Sequence, residues 1–368
     1  MTESSLSPRS VTNLREVQAL ASSRLGFSVT RVCPLRCAHC CASAGPDKEH
    51  AKLDPGLALR IAEQLPDLAA LGVRYLDFTG GEPTLMSAFI SVIAKAARTS
   101  GMRTGIVTAA HWAADEKRAN FVLDQLNDVD EWDISTDEHH LPFVSLATVQ
   151  RAFEMLRARG KDPLIRIAHG AQLNHAEAEI IDRCHAFAGE RIGFQRIDGV
   201  GRAEGLVPLR RVEVQSPCPA TGPIVQPDGR VAPCCANISY EQGNHPLWVG
   251  NAYREDLTDI VMRWRTHPLF QALRVWGFSA VVQWLREDGH HPGALGRGAV
   301  CSDCMLLVRD EALAAAAAQA AARLDRRIAT AQALQQLFGE TWMLERIERA
   351  LRQRRASNGV PDQSQPMT

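Results

Sequence analysis

Residues 33–40 read Cys33-Pro34-Leu35-Arg36-Cys37-Ala38-His39-Cys40, three thiols spaced by three residues and then two. Thiolates are soft ligands that suit iron–sulfur clusters and zinc. Three of them on one short loop can hold three corners of a cubane and leave the fourth iron open. An open position is what a catalytic metal site needs and a closed structural site lacks. A structural zinc site expects two close Cys-x-x-Cys pairs. No fourth partner stands nearby, and Cys41 cannot easily share a tetrahedral centre with Cys40. The spacing favours an open cluster over zinc.

Outward from this loop the chain alternates strand-like and helix-like runs from Gly26 to about Asp198. Short runs rich in β-branched and aromatic residues predict strands at 27–32, 74–79, 103–108, 131–136, 164–169 and 192–198. Between them, Leu57, Ile61, Leu65 and Leu68 recur at helical spacing behind Asp54-Pro55. Phe89, Ile93 and Ala97 form another stripe, as do Val149, Phe153 and Leu156 behind Ser145. Six βα repeats imply a parallel sheet with helical crossovers. An open partial barrel and a doubly wound sheet both fit that count. In parallel barrels the active site gathers at the carboxyl ends of the strands. The cysteine loop follows the first strand, and Thr79-Gly80-Gly81-Glu82-Pro83 ends the second.

These two motifs, in this order and each at a strand end, resemble the radical S-adenosylmethionine (SAM) superfamily. The cysteine run matches its Cys-x3-Cys-x2-Cys signature, with His39 in the slot usually aromatic, and Thr79–Pro83 matches its GGEP motif. The resemblance covers roughly residues 26–235. It implies a partial (β/α)6 TIM-type barrel, a [4Fe–4S] cluster on Cys33, Cys37 and Cys40, and SAM on the open iron. Gly80 and Gly81 lack a Cβ, so backbone can approach the SAM amine. Glu82 offers a carboxylate to that ammonium or to the local network, and Pro83 completes the turn. His39 is expected beside the cluster or adenine. Ser135 and Asp137 of Asp133-Ile-Ser-Thr-Asp-Glu-His-His140 are candidates for the ribose. An exposed polar loop is the alternative there. Reductive cleavage of SAM would give a 5′-deoxyadenosyl radical that abstracts hydrogen from substrate. Should the product be oxidised, Asp137, His139 and His140 are the nearest candidates for a base. Local hydrogen bonding is their other role. Gly201-Arg202-Ala203 resembles a tripeptide of relatives with auxiliary clusters; a plain turn is the bland reading.

A second cysteine group follows. Cys218 precedes Gly229 and Cys234, and Cys301 and Cys304 form a Cys-x-x-Cys pair. Pro227-Asp228-Gly229 predicts a hairpin turn that would bring Cys218 and Cys234 together. This group resembles the opening of a SPASM domain, but no cysteine follows Cys304, so the match is nearer the shortened twitch-like form. It implies one auxiliary [4Fe–4S] cluster on Cys218, Cys234, Cys301 and Cys304, with zinc the alternative for four thiolates. Cys41, Cys184 and Cys235 are left as spare or buried thiols.

The remaining features bound the setting. The 368 residues carry 41 Lys+Arg and 42 Asp+Glu, so no global basic field invites nucleic acid or an anionic membrane. No apolar run is long enough to span a bilayer, and ten cysteines without a signal core suggest a reducing, cytoplasmic setting. The expected organisation is a lead-in over 1–25, the partial barrel over 26–210, the auxiliary cluster domain over 211–308, one C-terminal helix over 309–355 and a disordered tail over 356–368. The resemblance implies a flavodoxin- or ferredoxin-like electron donor and a ribosomally made peptide as substrate, to be crosslinked, epimerised or oxidised. Only about 25 residues precede the first strand, too few for a leader-recognition core, so a separate leader-peptide-binding protein could serve. Alternatives are a radical dehydrogenase or epimerase of a sugar or alcohol, and a zinc-stabilised binding protein.

Overall fold

The computed structural model describes residues 14–357 except 171, 198, 207–215, 236, 241 and 242. Six parallel strands carry the first half: β1 (Arg24–Thr30), β2 (Tyr75–Gly80), β3 (Arg103–Thr108), β4 (Glu131–Thr136), β5 (Asp162–His169) and β6 (Ile192–Arg196). Five helices connect them: α2 (Leu57–Ala70), α3 (Ser87–Thr99), α4 (Glu116–Gln125), α5 (Leu146–Ala158) and α6 (His175–Ala188). The strands pair in sequential order, β6-β5-β4-β3-β2-β1. Sequential order with right-handed crossovers puts every connecting helix on one face of the sheet. That removes the doubly wound alternative and leaves the partial barrel.

Strand alternation then sorts the side chains. Phe27, Phe78, Ile106, Trp132 and Ile165 are at most 1% exposed and form the face toward the helices. The opposite, inner face holds ion pairs instead: Arg24 with Asp77, Arg103 with Glu131 and Arg166 with Asp133.

The sheet does not stop at β1. Strand β7 (Ile224–Val225) adds in parallel to β1, and β8 (Arg230–Ala232) and β9 (Gly250–Asn251) continue antiparallel. The turn at Pro227-Asp228-Gly229 joins β7 to β8 as its residues suggest, with Gly229 at φ +80°. Cys218 and Cys234 therefore flank one hairpin.

Three boundaries differ from the sequence expectations. The lead-in is not featureless: Leu14–Ala21 form helix α1, and Arg24 already begins β1. Gln18 of α1 is buried and donates to the carbonyls of Cys218 and Arg274, each at 2.7 Å. Residues 1–13 lie outside the described residues. Next, the Trp-containing segment 248–285, whose Leu257, Ile260 and Trp264 lie at helical spacing in the sequence, splits at Thr266-His267 into α7 (Leu257–Arg265) and α8 (Pro268–Glu287). Pro268 cannot continue α7, and His267 caps α8 through its side chain.

Finally, after α9 (Val300–Arg309), the single C-terminal helix expected over 309–355 is three segments: α10 (Glu311–Ala322), α11 (Leu324–Phe338) and α12 (Trp342–Ser357). Extended Arg323 and left-handed Gly339 interrupt what composition alone reads as continuous. The tail assigned to 356–368 begins inside α12, and 358–368 lie outside the described residues. Helix α12 packs back on the body. Met343 and Ile347 are buried with Val275 and Leu334, and the Arg265 guanidinium lies 4.1 Å from the Trp342 ring centroid. Beneath them Arg274, fully buried, makes a two-pronged ion pair with Glu340 at 2.7 Å.

Candidate active site

The site is built at the carboxyl ends of β1, β2, β3, β4 and β6. After Thr30 the chain leaves β1 and enters the cysteine loop. The Cys33 amide donates to Gly45 at 3.2 Å, which turns the loop back on itself. The GGEP segment lies directly against it: Gly81 N–H donates to the Thr30 carbonyl and Glu82 N–H to that of Val32. This approach explains both glycines. A Cβ on Gly80, at φ +145°, would sit 2.2 Å from the Thr30 oxygen, and one on Gly81 would sit 2.3 Å from the Val32 oxygen. The sequence reading tied these glycines to a ligand's approach; the chain's own backbone already demands them.

Glu82 is fully buried, and its carboxylate serves the internal network, the second role foreseen for it. It accepts from Thr84 N and Oγ1, from Thr108 Oγ1 at 2.8 Å and from Ala109 N at 3.0 Å. His111 Nδ1 stands 3.6 Å away. Burial alone would raise this carboxyl, but the His111, Thr84 and Thr108 contacts hold it below the usual range. Glu82 thereby locks the ends of β2 and β3 together. Thr108 and His111 were not foreseen; no motif marks them, and only the fold brings them under Glu82. Pro83 is buried at the start of a short 3-10 turn, Pro83–Met86, which Glu82 caps.

At the end of β4, Ser135 lies on the inner face in register with Arg166, and Asp137 begins a tight polar turn. Asp137 is 1% exposed. Its carboxylate accepts from the amides of His139 and His140 at 2.9 and 3.0 Å and pairs with His140 Nδ1 at 2.7 Å. His39 Nε2 lies 3.4 Å from the same carboxylate, and the His39 ring stacks 4.9 Å from that of His139. Burial pushes the His39 imidazole down to about 4, so it is neutral, and its Nδ1 is buried with no partner. Burial also opposes charge on His140, yet Asp137, hydrogen-bonded to it, and the nearby Cys37 raise it to about 10. Asp137 is so fully engaged that it organises this turn. His139, whose side chain is a quarter exposed, is the member that faces outward.

The loop after β6 closes the circle. Arg202 donates from Nε to the Cys37 carbonyl at 2.9 Å, reaches the Ala44 carbonyl, and its amide donates to Cys40. A Cβ on Gly201 would sit 2.3 Å from the Cys41 oxygen. The Gly201-Arg202-Ala203 tripeptide is therefore a clamp on the cysteine loop, 165 residues away in sequence.

The thiols fit a metal cluster. Cys33 and Cys37 are buried and Cys40 is half-buried, with none of them in a disulfide. Burial, with smaller contributions from Glu82, Cys37 and Cys40, pushes the Cys33 thiol up to about 12. The Cys33 thiol resists losing its proton unless a cationic centre replaces it. With that geometry established, residues 27–184 match the family model described as the Radical SAM superfamily.

Those residues are similar to the radical SAM superfamily. Over 279 residues the chain is 23% identical to YydG of Bacillus subtilis (strain 168), provisionally named for peptide biosynthesis; the match spans 70% of this chain and 82% of that protein. Over 101 residues it is 35% identical to the PqqA peptide cyclase of Methylorubrum extorquens (strain PA1), spanning 27% of this chain and about a quarter, 24%, of the cyclase. Its structure resembles that of Streptococcus suis SuiB bound to S-adenosylmethionine at TM-score 0.49 and 16% identity, over 68% of this chain and 67% of SuiB. No helix among the described residues is long and apolar enough to cross a membrane.

Beyond the residues matched by that family model, Cys218, Cys234, Cys301 and Cys304 converge on one pocket, partly open to solvent. Its other walls are apolar, including Ile238, Leu247, Phe270 and Val300. Burial raises the Cys304 thiol well above its usual value, and the nearby Cys218, Cys301 and Cys234 add to the effect. The Cys218 thiol is pushed up to about 11. Cys235, next in sequence, is exposed and pairs with Thr221 at 3.1 Å.

Proposed function

We propose that this enzyme binds SAM at a [4Fe–4S] cluster on Cys33, Cys37 and Cys40 and modifies a ribosomally made peptide by hydrogen abstraction. The observation that carries this is the convergence of the three thiols, two buried and one half-buried, with the glycine turn and Arg202 at one end of the barrel. When bound, the cluster supplies the electron that divides SAM into methionine and a 5′-deoxyadenosyl radical. The chain's own part is to hold and shield. Gly80 and Gly81 keep the GGEP backbone against the loop, and His39 offers a neutral, partnerless ring nitrogen to the adenine side. Ser135, on the inner face at the strand end, is the candidate for the ribose.

The peptide assignment is supported by the names of YydG and the PqqA peptide cyclase. It also suits an inner face lined with ion pairs, which accommodates a polar chain rather than a lipid. His139 is our candidate for a base, should the product be oxidised. The four-thiol pocket is proposed to hold one auxiliary [4Fe–4S] cluster that takes an electron from, or binds, the substrate. A flavodoxin- or ferredoxin-like protein would supply the reducing electron, and a separate protein could present a leader peptide. Anaerobic reconstitution tests the reading. Brown protein that forms 5′-deoxyadenosine under strong reductant supports it, and a mass change in candidate precursor peptides identifies the substrate. Iron-loaded protein that never cleaves SAM would defeat it.

A further inference from the structure

Two side chains on the inner face of the barrel have no bond of their own. Ser28 of β1 is 0% exposed, and Gln226, the residue after β7, is 1% exposed. Ser28 Oγ and both polar atoms of the Gln226 carboxamide are buried without a hydrogen-bond partner among the described residues. The hairpin takes up the Gln226 backbone: its amide donates to the Arg230 carbonyl and its carbonyl accepts from Gly229, each at 2.8 Å. Only the side chain is left over.

The register sets the two residues side by side. Gly26 lies opposite Ile224 and Phe27 opposite Val225, which brings Gln226 level with Ser28. Side chains alternate across a sheet, so Ser28 shares a face with Arg24, and Gln226 with Ile224. Both sit near the carboxyl ends of their parallel strands, the end that carries the cysteine loop. Ser28 also stands opposite the half-buried Thr79, and Asp77 on that face is 32% exposed, so solvent reaches the sheet beside them. Arg24 and Asp77 already neutralise each other at 2.7 Å. A neutral polar group therefore suits the pair better than an ion.

We propose that Gln226 and Ser28 form a subsite that grips the main chain of an extended peptide. Gln226 takes the N–H and C=O of one residue, and Ser28 bonds the adjoining peptide group. In an extended strand the N–H and C=O of one residue point the same way, as in the paired residues of an antiparallel ladder. A carboxamide offers a donor and an acceptor side by side and matches that pair. A buried carboxamide without a partner opposes folding, and a ligand that supplies both bonds removes that cost. The subsite reads backbone rather than side chains. The inference deepens the reading of a peptide substrate and rests on it.

The test is ligand-observed saturation-transfer NMR on the anaerobically reconstituted full chain. One probe is N-acetylalanine N′-methylamide, whose alanine carries a complete N–H and C=O pair. The other is N-acetylproline N′-methylamide, which lacks that N–H. The alanine probe should half-saturate at about tenfold lower concentration than the proline probe, the scale of one neutral hydrogen bond. Gln226→Leu should weaken the alanine probe about tenfold and erase the preference, and Ser28→Ala should weaken both probes about threefold. The unfolding midpoint of Gln226→Leu should hold or rise, because the change removes an unpartnered carboxamide; a purely structural glutamine would lower it. If Gln226→Leu does not fold, Gln226→Met carries the same test. Equal binding of the two probes by the wild type overturns the proposal, as does a preference that survives loss of the carboxamide. Tighter binding of methyl glucoside than of the alanine probe overturns it in favour of a sugar. Failure of the cluster or of peptide modification shows separately, in iron content, 5′-deoxyadenosine and precursor mass, none of which enters this measurement.

Discussion

The chain has two thiol sites, and their surroundings are opposite. The first, on the loop after β1, is ringed by Glu82, Asp137, two histidines and Arg202. The second is lined by proline, isoleucine, leucine, valine and phenylalanine beside its four cysteines. Three thiols among polar, charged groups leave room and dipoles for a charged ligand on an open corner. Four thiols in an apolar wall satisfy a centre completely and insulate it. On the proposed function, that difference would separate a site that turns over a cofactor from one that holds or passes an electron.

The sharpest way to break this contrast is to remove one set of thiols at a time. Replacing Cys33, Cys37 and Cys40 together by Ala should abolish 5′-deoxyadenosine formation and leave iron at the second site, read by iron assay and Mössbauer spectra. Cys304→Ala should do the reverse: SAM cleavage persists, the second site's iron is lost, and peptide product falls at least about tenfold, the scale of losing a supporting metal contact. Loss of SAM cleavage in that variant would mean that the two sites are not separable.

Stability provides the next contrast. Glu340→Ala strands the buried Arg274, whose neighbours include the Cys218 segment, and should cost about 3–5 kcal/mol in denaturant unfolding. Gly80→Ala, which forces a side chain against the Thr30 carbonyl at a left-handed φ, should cost about 2–3 kcal/mol and lower iron at the first site alone. A smaller effect follows from pH. Burial, reinforced by Arg230, lowers His245 to about 4, below its ordinary 6.5, while it stacks 4.8 Å from Trp248. The unfolded chain therefore binds the extra proton first. Stability is full above pH 6.5 and declines as pH falls toward 4. His245→Phe should flatten that slope in unfolding midpoints taken across the window.

Much of this was legible in the residues. The cysteine spacing, the glycine turn and the period of the βα runs needed no fold to be read, because each depends on near neighbours. The strands at 103–108 and 131–136 fall where their β-branched runs lie. What was hidden depends on contacts across the fold. Thr108 and His111 gain meaning only beneath Glu82, and Arg202 only once β6 returns to the cysteine loop. Helix α1 was missed because it is only eight residues long, although Leu14, Val17 and Leu20 recur at helical spacing; tertiary contacts of Gln18 hold it. The C-terminal helices were merged because alanine-rich composition reports propensity, and the breaks at Arg323 and Gly339 are backbone events.

Strand β7 carries one last implication. It belongs by sequence to the auxiliary region, yet it hydrogen-bonds in register to β1, Gly26 opposite Ile224 and Phe27 opposite Val225. A cut near residue 210 would therefore not release two modules. It would strip the first strand of a neighbour and bare an unpaired edge beside the cysteine loop. Swapping this region for a relative's is a graft onto the barrel wall, and it calls for matched residues at Gly26, where Ile224 lies 3.1 Å from the position of a Cβ.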